Sequence, residues 1–207
     1  MAHIGRRVGV RTNGKMIATV LERGAVMLYP TETVYGLGCD VRNEKALAKI
    51  YVLKGRPMGK PFIVLVKDLR MAKRIARFSL AAERLARKFW PGPLTLVLRT
   101  RKGALLGRYF QRTVALRVSP HPFVRKLFRH IGFPLVSTSA NRSGKQPAHS
   151  VRELRRQLGA RMRKIDMIID AGMLPRRRPS TVVDLTGAAP KLLREGAVLW
   201  KTIGRKN

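Results

Sequence analysis

Short apolar runs bounded by glycine, proline and polar residues predict buried strands along the whole chain. The runs cover residues 25–29, 62–66, 94–98, 113–118, 135–137, 167–170, 181–185 and 191–194. Helical segments alternate with the first of these runs, whereas the last runs follow one another closely. This order predicts a mixed α/β (α+β) fold, in which helices pack on one twisted sheet.

Helices are predicted where apolar residues recur at helical spacing. Met16, Ile17, Val20 and Leu21 share one face of a first helix that ends at Gly24. A further helix is predicted over residues 121–130. The other helices are marked by side chains that favour the N-cap position, which are Asn43, Asp68, Ser79 and Ser150, the last with Glu153 in a capping box.

The chain has 207 residues, of which 45% are hydrophobic, and this is enough for one sizeable core. We therefore expect one domain over residues 1–207, with its motifs between about 13 and 199. No apolar stretch approaches the length of a membrane span, and the first residues lack a secretory signal. The single cysteine, Cys39, has no disulfide partner in the chain. A cytoplasmic location is expected.

Charge is the outlying property of the composition. The chain has 44 Lys and Arg residues against 11 Asp and Glu residues, which gives a formal net charge of +33. The basic residues are spread over nearly the whole chain, so they do not form a separate tail. One hypothesis is affinity for RNA through phosphate contacts. The alternative is a solvated surface that reflects an unusual proteome, and composition leaves both open.

Four polar segments interrupt the apolar runs, and we interpret them as loops at strand ends, where α/β proteins build ligand sites. They are residues 29–38, 54–57, 137–141 and 179–184. Lys54 and Arg56 lie two residues apart on a loop with Gly55 and Pro57, so both side chains can face one phosphate group. In a chain with so many basic residues, an ordinary surface pair is the alternative.

Residues 137–141 read Ser-Thr-Ser-Ala-Asn and bring three hydroxyls and one amide directly after a predicted strand. These groups can donate hydrogen bonds to phosphate or carboxylate oxygens. An ordinary turn that bonds its own backbone is the alternative interpretation. Gly36 and Gly38 are similar to phosphate-binding glycines, but the complete nucleotide-binding motifs are absent from the sequence.

Together these segments resemble the YrdC/TsaC family of threonylcarbamoyl-adenylate synthases, whose signature is Lys-x-Arg followed far downstream by Ser-x-Asn. The resemblance runs from about residue 25 to residue 196. It includes the segments 29–39, 90–95, 114–118, 179–184 and 193–196, all in the family's order. The resemblance implies a YrdC-like twisted sheet of mixed, largely antiparallel strands, flanked by helices and containing a wide basic cleft.

The resemblance also implies an activity. Family enzymes are nucleotidyltransferases that combine L-threonine, bicarbonate and ATP into threonylcarbamoyl-AMP and pyrophosphate. The product supplies the N6-threonylcarbamoyladenosine modification of tRNA. The implied partners are therefore tRNA or other RNA at the basic surface and the tRNA-modification proteins that accept the adenylate. No membrane partner is expected.

The resemblance assigns roles by motif position. Four residues are implied to be catalytic: Lys54, Arg56, Ser139 and Asn141. The implied contacts of L-threonine are Thr33, Arg117, Ser137 and Ser180, with Arg117 as the carboxylate ligand. The implied contacts of ATP are Lys54, Arg56, Lys60, Thr113, Ser139, Asn141 and Arg194.

No acidic cluster suggests a protein cage for a metal ion. Magnesium is expected with ATP, held by phosphate oxygens and water, and no metal ligand is assigned. No general base stands out either. The four histidines lie outside the shared motifs and are expected at the surface or in packing, and Glu32 is expected to form a structural hydrogen bond.

Two features depart from the family pattern. Many relatives carry a histidine near the end of the strand after the Lys-x-Arg segment, where this chain has Leu65 or Val66. The chain also resembles the short form of the family, without the additional C-terminal domain of the longer form. The basic segment 175–179 beside Ser180 is interpreted as a guard for the nucleotide, an RNA contact or a solvated loop.

Two other functions remain open from the sequence. The first is an RNA-binding or ribosome-associated protein on the same fold, with weak or lost catalysis. Retention of Lys54, Arg56, Ser139 and Asn141 favours the enzyme over this alternative. The second is action on another carbamoyl donor, as in hydrogenase maturation, although the chain lacks the accessory parts of those proteins.

Overall fold

The computed structural model describes residues 6–9, 13–58, 62–104, 106, 110 and 112–203. The strands among these residues form one ten-stranded sheet. In chain order they are β1 (Arg6–Gly9), β2 (Met27–Pro30), β3 (Tyr35–Asp40), β4 (Ile63–Leu65), β5 (Leu94–Arg99), β6 (Thr113–Arg117), β7 (Leu135–Ser139), β8 (Met167–Asp170), β9 (Thr181–Asp184) and β10 (Lys191–Arg194).

Seven α-helices are found in the described part of the chain. They are α1 (Gly14–Glu22), α2 (Glu44–Lys54), α3 (Leu69–Ile75), α4 (Leu80–Phe89), α5 (Pro122–Leu127), α6 (Val151–Leu158) and α7 (Trp200–Ile203). A short 3₁₀ helix, Gly159–Lys164, continues from α6.

The strands lie in the order β1-β8-β2-β3-β7-β4-β6-β5-β9-β10 across the sheet. Of the nine neighbouring pairs in the described residues, five are antiparallel, namely β2–β3, β3–β7, β4–β7, β5–β6 and β9–β10. The other four pairs are parallel. The predicted mixed α/β fold with a largely antiparallel sheet is confirmed.

The predicted helix starts are confirmed by their capping bonds. The side chain of Asn43 accepts a hydrogen bond from the backbone N–H of Ala46, and Asp68 and Ser79 cap α3 and α4 in the same way. Ser150 accepts from the N–H of Glu153. The Glu153 carboxylate accepts from the N–H of His149 rather than from that of Ser150, so the capping box closes one residue earlier than expected.

The interpretation of residues 29–38 as a loop was wrong for their second half, because β3 is a strand in which every residue is buried. Two glycines in this strand hide the usual strand pattern. A Cβ atom on Gly38 would lie 2.6 Å from the carbonyl oxygen of Val136 and 2.8 Å from the ring of Tyr29. Gly38 is therefore explained by the close packing of the Tyr29 ring and not by a phosphate loop.

Helices cover both faces of the sheet. On one face, Ile17 and Leu21 of α1 pack with Phe123 and Leu127 of α5 and with Met27 of β2. On the other face, α2, α4 and α6 pack their buried residues against the alternate positions of the same strands. Because side chains alternate along a strand, each face of the sheet has its own apolar cluster. None of the described helices has the length and apolar character needed to cross a bilayer.

Candidate active site

The site begins where one face of strand β7 changes from apolar to polar. Leu135, Ser137 and Ser139 point to the same side of the sheet, since they alternate along the strand. Leu135 packs in the apolar cluster with α1 and α5, whereas Ser137 and Ser139 line a cavity. The core and the cavity therefore share one face of the sheet.

The cavity has a volume of about 610 Å³, which lies within the range of small-molecule sites. The register of the strands places residues from neighbouring strands side by side in the cavity wall. Ile63 lies opposite both Ser137 and Ala115, and Leu65 lies opposite Arg117 in the parallel pair β4–β6. Residues from seven strands and from the intervening loops contribute to the lining.

Most of the residues singled out in the sequence meet at this cavity. Nine of them line it, namely Thr33, Lys54, Arg56, Arg117, Ser137, Ser139, Asn141, Ser180 and Arg194. Thr113 does not belong to the lining and lies at the start of β6, two residues before the lining residue Ala115. Lys60 lies outside the described residues.

Lys54 is buried, with 3% of its surface exposed, and its ammonium group is surrounded by oxygen atoms. Lys54 Nζ donates to the backbone oxygen of Ser139 at 2.6 Å, to the Asn141 side-chain oxygen at 2.8 Å and to the Asn141 backbone oxygen at 3.1 Å. An ammonium group has three protons, so these three acceptors engage all of them. Burial lowers the pKa of Lys54 to about 8, and the Arg56 charge contributes to the same shift.

The Asn141 amide is engaged as completely as Lys54. Its oxygen also accepts from Ser139 Oγ at 2.7 Å, and its nitrogen donates to the backbone oxygens of Arg142 and Lys145. The expectation that Lys54 lies on a loop was wrong. Lys54 ends α2 and, with Ser139 and Asn141, forms one closed hydrogen-bonded group, because its long side chain reaches the end of β7 from the helix terminus.

Arg56 reaches the cavity because the chain turns sharply after α2. Gly55 takes the left-handed conformation, with φ of 57°, and its N–H bonds to the carbonyl oxygens of Tyr51 and Val52 in the last turn. Only glycine adopts this conformation without strain, which explains the glycine between the two basic residues. The Arg56 guanidinium lies over the Phe62 ring, 4.9 Å from the ring centroid.

A second charged group occupies another part of the cavity. Arg117 is buried and forms an ion pair with Glu32, and Arg117 Nε donates to the carbonyl oxygen of Gly92 at 3.1 Å. The other Glu32 oxygen accepts from Ser119 Oγ at 2.7 Å, so the hydrogen bond expected of Glu32 is present. Burial lowers the pKa of Arg117 to about 10, and the Arg194 charge contributes to the decrease.

Hydroxyl groups surround this second region. Tyr29 donates to Ser137 Oγ at 2.6 Å, and burial raises the pKa of Tyr29 above its usual range. The hydroxyls of Thr31 and Thr33 lie 3.1 Å apart. These bonds fix the hydroxyl orientations on the cavity wall.

Ser180 directly precedes β9 and lies beside Arg194, which ends β10. Arg194 Nη2 donates to the backbone oxygen of Ser180 at 2.8 Å and to its hydroxyl oxygen at 3.1 Å. The Ser180 hydroxyl also lies 2.9 Å from that of Thr95. Burial lowers the pKa of Arg194.

Two lining residues with ionisable side chains, His149 and Arg177, have no role assigned by the resemblance. The expectation that all histidines lie at the surface or in packing was wrong for His149, which lines the cavity. Its position next to Ser150, the N-cap of α6, gives no signal of this in the sequence. Arg177 also lines the cavity, and it belongs to the basic segment 175–179 that the composition marks. Leu65, one of the two positions at which the resemblance leads us to expect a histidine, lines the cavity and lies opposite Arg117 in the sheet.

The lining is basic and offers little to a metal ion. The described lining residues include Lys54, Arg56, Arg117, Arg177 and Arg194 and contain no Asp or Glu. Within the described part of the chain, no group of three or more His, Cys, Asp or Glu residues has the arrangement of a metal site.

Comparison with known proteins gives consistent results in sequence and in structure. The model of the Sua5/YciO/YrdC family, described as telomere recombination, matches residues 19–196. A threonylcarbamoyl-AMP synthase of Vibrio vulnificus (strain YJ016) is 40% identical over 190 residues, which cover 89% of this chain and 99% of the relative. A threonylcarbamoyl-AMP synthase of Bacillus subtilis (strain 168) is 37% identical, and the match covers 87% of this chain and 52% of that protein.

Solved structures share the fold. Sua5 of P. abyssi, crystallised with L-threonine, superposes with a TM-score of 0.84 at 35% identity, covering 95% of this chain. The chain spans 58% of the length of that Sua5. YciO of E. coli superposes with a TM-score of 0.80 at 27% identity, covering 93% of this chain and 96% of YciO. The chain belongs to the Sua5/YciO/YrdC family.

Proposed function

We propose that this chain is a threonylcarbamoyl-AMP synthase, which uses L-threonine and ATP as substrates together with bicarbonate. The observation that carries the proposal is the meeting of nine motif residues around one basic cavity, in a chain 40% identical to a synthase over nearly its whole length. The cavity volume of about 610 Å³ is large enough for a nucleotide and an amino acid together.

Threonine binds at the Arg117 region in this proposal. The Arg117 guanidinium can hold the substrate carboxylate, because a planar guanidinium matches a carboxylate in geometry. Glu32 and the Gly92 carbonyl group hold the guanidinium in place from behind. The hydroxyls of Thr33, Ser137 and Ser180 line the adjacent wall and can bond the amino and hydroxyl groups of the substrate. The P. abyssi Sua5 structure with L-threonine supports threonine as the amino acid.

ATP binds toward Lys54, Arg56, Ser139, Asn141 and Arg194 in this proposal, and the contributions of Lys60 and Thr113 remain part of it. The threonine amine first loses a proton to solvent. It then attacks bicarbonate and gives a carbamate and water, or attacks carbon dioxide and gives a carbamate and a second proton. A carbamate oxygen then bonds to the α-phosphorus of ATP, and the bond from this phosphorus to the bridging oxygen breaks. Pyrophosphate leaves with that oxygen.

The site accelerates this reaction by charge and position. The Lys54 ammonium and the Arg56 guanidinium provide positive potential where negative charge accumulates on the phosphates. The closed group of Lys54, Ser139 and Asn141 keeps this charge fixed before substrate arrives, so no rearrangement is needed during the reaction.

Magnesium fits this site only as a companion of ATP. The described lining offers hydroxyl and amide oxygens but no carboxylate, so it lacks the charged ligands of a protein magnesium cage. We propose that phosphate oxygens and water hold the ion. It would supply additional charge neutralisation on the phosphates.

The product is proposed to serve the N6-threonylcarbamoyladenosine modification of tRNA in the cytoplasm, through partner proteins that accept the adenylate. The net charge of +33 supports an additional contact with tRNA or other RNA. RNA binding through phosphate contacts should weaken steeply as the salt concentration rises. An affinity that does not change with salt would contradict such contacts.

The activity can be tested directly. The protein is incubated with L-threonine, bicarbonate and ATP labelled at the α-phosphate, and chromatography separates the products. We expect labelled threonylcarbamoyl-AMP and an equal amount of pyrophosphate, both dependent on threonine. Folded protein that forms no threonine-dependent adenylate would contradict the proposal.

A further inference from the structure

The segment between β8 and β9, residues 171–180, is fixed at both ends to the wall of the cavity. At its start, the N–H of Ala171 donates to the Tyr35 hydroxyl, which itself donates to the Gly172 carbonyl oxygen at 2.9 Å. Leu174 N–H donates to the His149 carbonyl oxygen at 2.8 Å. At its end, Ala197 N–H donates to the Pro179 carbonyl oxygen at 2.9 Å.

This segment crosses the site. Strand β8 is second in the order of the sheet and β9 is ninth, so residues 171–180 connect distant parts of the sheet. The lining residues Tyr35 and His149 lie at the first attachment, and Ser180 lies at the second. The residues between them are mostly exposed. The segment therefore passes along the mouth of the cavity.

Three arginines lie in the middle of this segment, between Pro175 and Pro179. Proline fixes its own φ angle and keeps the preceding residue extended, so this part of the chain has few conformations to lose when a ligand binds. Side chains alternate in an extended chain. Only Arg177 of the three lines the cavity, while Arg176 and Arg178 do not.

Arg177 also differs from the other cations of the cavity in its bonding. Lys54, Arg117 and Arg194 have hydrogen bonds or ion pairs within the protein, and Arg56 stacks on Phe62. Among the described residues, no hydrogen bond or ion pair involves Arg177. It is an exposed guanidinium on the wall of a cavity whose described lining contains no carboxylate.

We propose that Arg177 binds the β- and γ-phosphates of ATP and the pyrophosphate that leaves. A guanidinium forms paired hydrogen bonds with phosphate oxygens, and the terminal phosphates carry the greatest charge of the substrate. The threonine carboxylate is the less suitable anion, because Arg117 is buried at the region proposed for it while Arg177 lies at the mouth. The inference rests on the proposed function for the identity of the polyphosphate.

The neighbouring arginines provide matched controls. Arg177→Ala, Arg176→Ala and Arg178→Ala each remove one exposed guanidinium from the same segment, so the three variants differ only in whether the lost group faces the cavity. We expect Arg177→Ala to raise the KM for ATP and the inhibition constant of pyrophosphate by about tenfold each. The KM for L-threonine should be unchanged, and Arg177→Lys should restore part of the loss.

Arg176→Ala and Arg178→Ala should change each constant by less than about twofold, since an exposed charge that makes no direct contact contributes little. Equal losses in all three variants would overturn the proposal and indicate a response to total charge, as expected for an RNA chain. An Arg177→Ala variant that behaves like the wild-type protein would also overturn it.

Titration calorimetry with pyrophosphate alone separates this inference from the proposed function. If the wild-type protein makes no threonylcarbamoyl-AMP, the synthase assignment fails, but the three variants can still be ranked by pyrophosphate affinity. Weaker binding in Arg177→Ala only would support the Arg177 site. Equal affinity in the three variants and the wild-type protein would contradict it.

Discussion

The cavity contains two buried cations in contrasting surroundings. Lys54 is surrounded by neutral oxygen atoms of Ser139 and Asn141, so its positive charge is not cancelled by a neighbouring acid. Arg117 is paired with Glu32, so its positive charge is balanced by a neighbouring acid. In both cases burial lowers the pKa of the basic group.

This contrast matches the two proposed substrates. ATP is a polyanion and gains from a region with uncancelled positive charge. Threonine is a zwitterion with no net charge, and it suits a region where a cation and an acid are already balanced. One site therefore treats its two substrates differently by giving one buried cation neutral partners and the other a charged partner.

The largest effect is expected from Lys54→Met, which removes the buried positive charge beside Ser139 and Asn141. We expect kcat/KM for ATP to fall by about a thousandfold, because a fixed charge at the reacting phosphate is lost. The free energy of unfolding should also fall by about 1–3 kcal/mol, since buried oxygens of Ser139 and Asn141 lose their donor. Steady-state kinetics and urea unfolding measure the two effects.

Lys49→Met is the matched control for this variant. Lys49 lies on the same helix, α2, but forms an exposed ion pair with Asp166 at 3.1 Å. Its loss should change stability by less than about 1 kcal/mol and leave the kinetics unchanged. Normal ATP kinetics in Lys54→Met would contradict the role proposed for the Lys54 charge in ATP binding.

The next largest effect is expected from Glu32→Gln, which removes the negative charge paired with Arg117. Arg117 then loses the carboxylate that orients it, and kcat/KM for L-threonine should fall by about tenfold to a hundredfold. The KM for ATP should stay near its original value. Glu83→Gln, which breaks the partly exposed pair with Lys73, is the control and should affect neither constant.

Activity above neutral pH distinguishes the two regions without mutation. Because the pKa of Lys54 is about 8, its charge is lost as the pH rises through this value, whereas Arg117 remains charged until about pH 10. We expect kcat/KM for ATP to decrease by up to about tenfold per pH unit above 8, and before any decrease in threonine affinity. A flat profile between about pH 7 and pH 9, one unit either side of the Lys54 pKa, would contradict the charge assigned to Lys54.

Stability should respond to pH in the opposite direction. The unfolded chain retains the Lys54 proton up to its ordinary pKa of 10.5, whereas the folded protein releases it near 8. Between these values the unfolded state binds more protons, so the Lys54 contribution to the free energy of unfolding rises with pH. Unfolding of the wild-type protein and Lys54→Met at two pH values in this window measures the difference.

The smallest effect is expected from Tyr29→Phe, which removes the hydrogen bond from Tyr29 to the cavity residue Ser137. The Ser137 hydroxyl loses its buried donor, and stability should fall by about 1 kcal/mol. The KM for L-threonine should rise by about twofold to fivefold, because Ser137 can rotate. Thermal unfolding and threonine titration check both values, and an increase in stability would contradict the bond.

Much of the fold was open to prediction from local patterns. The caps at Asn43, Asp68 and Ser79 are confirmed because a capping bond joins residues close in sequence. The strand β3 was missed because it is defined by its hydrogen bonding to β2 and β7, which no local pattern reveals. Its glycines read as loop residues until the Tyr29 ring that packs against one of them is in place.

The site also combines residues that could be predicted from the sequence with contacts that could not. The resemblance in the sequence marks Lys54, Ser139 and Asn141 as catalytic residues, but it does not predict that their side chains contact one another. In the fold they are one group, because α2 ends next to β7 although the two are about 85 residues apart in the chain. His149 carries no local sign of the cavity that it lines, whereas Arg177 is marked by the basic segment around it.

The residues available to the site, the helix caps and the family follow from the sequence alone, since each depends on side-chain identity and spacing along the chain. Which charges are cancelled and which are not follows only from the three-dimensional fold. That outcome depends on distances between residues far apart in sequence, such as Glu32 and Arg117. Coulomb interactions and burial act through space, so the same basic side chain has different properties at Lys54, Arg117 and Arg177.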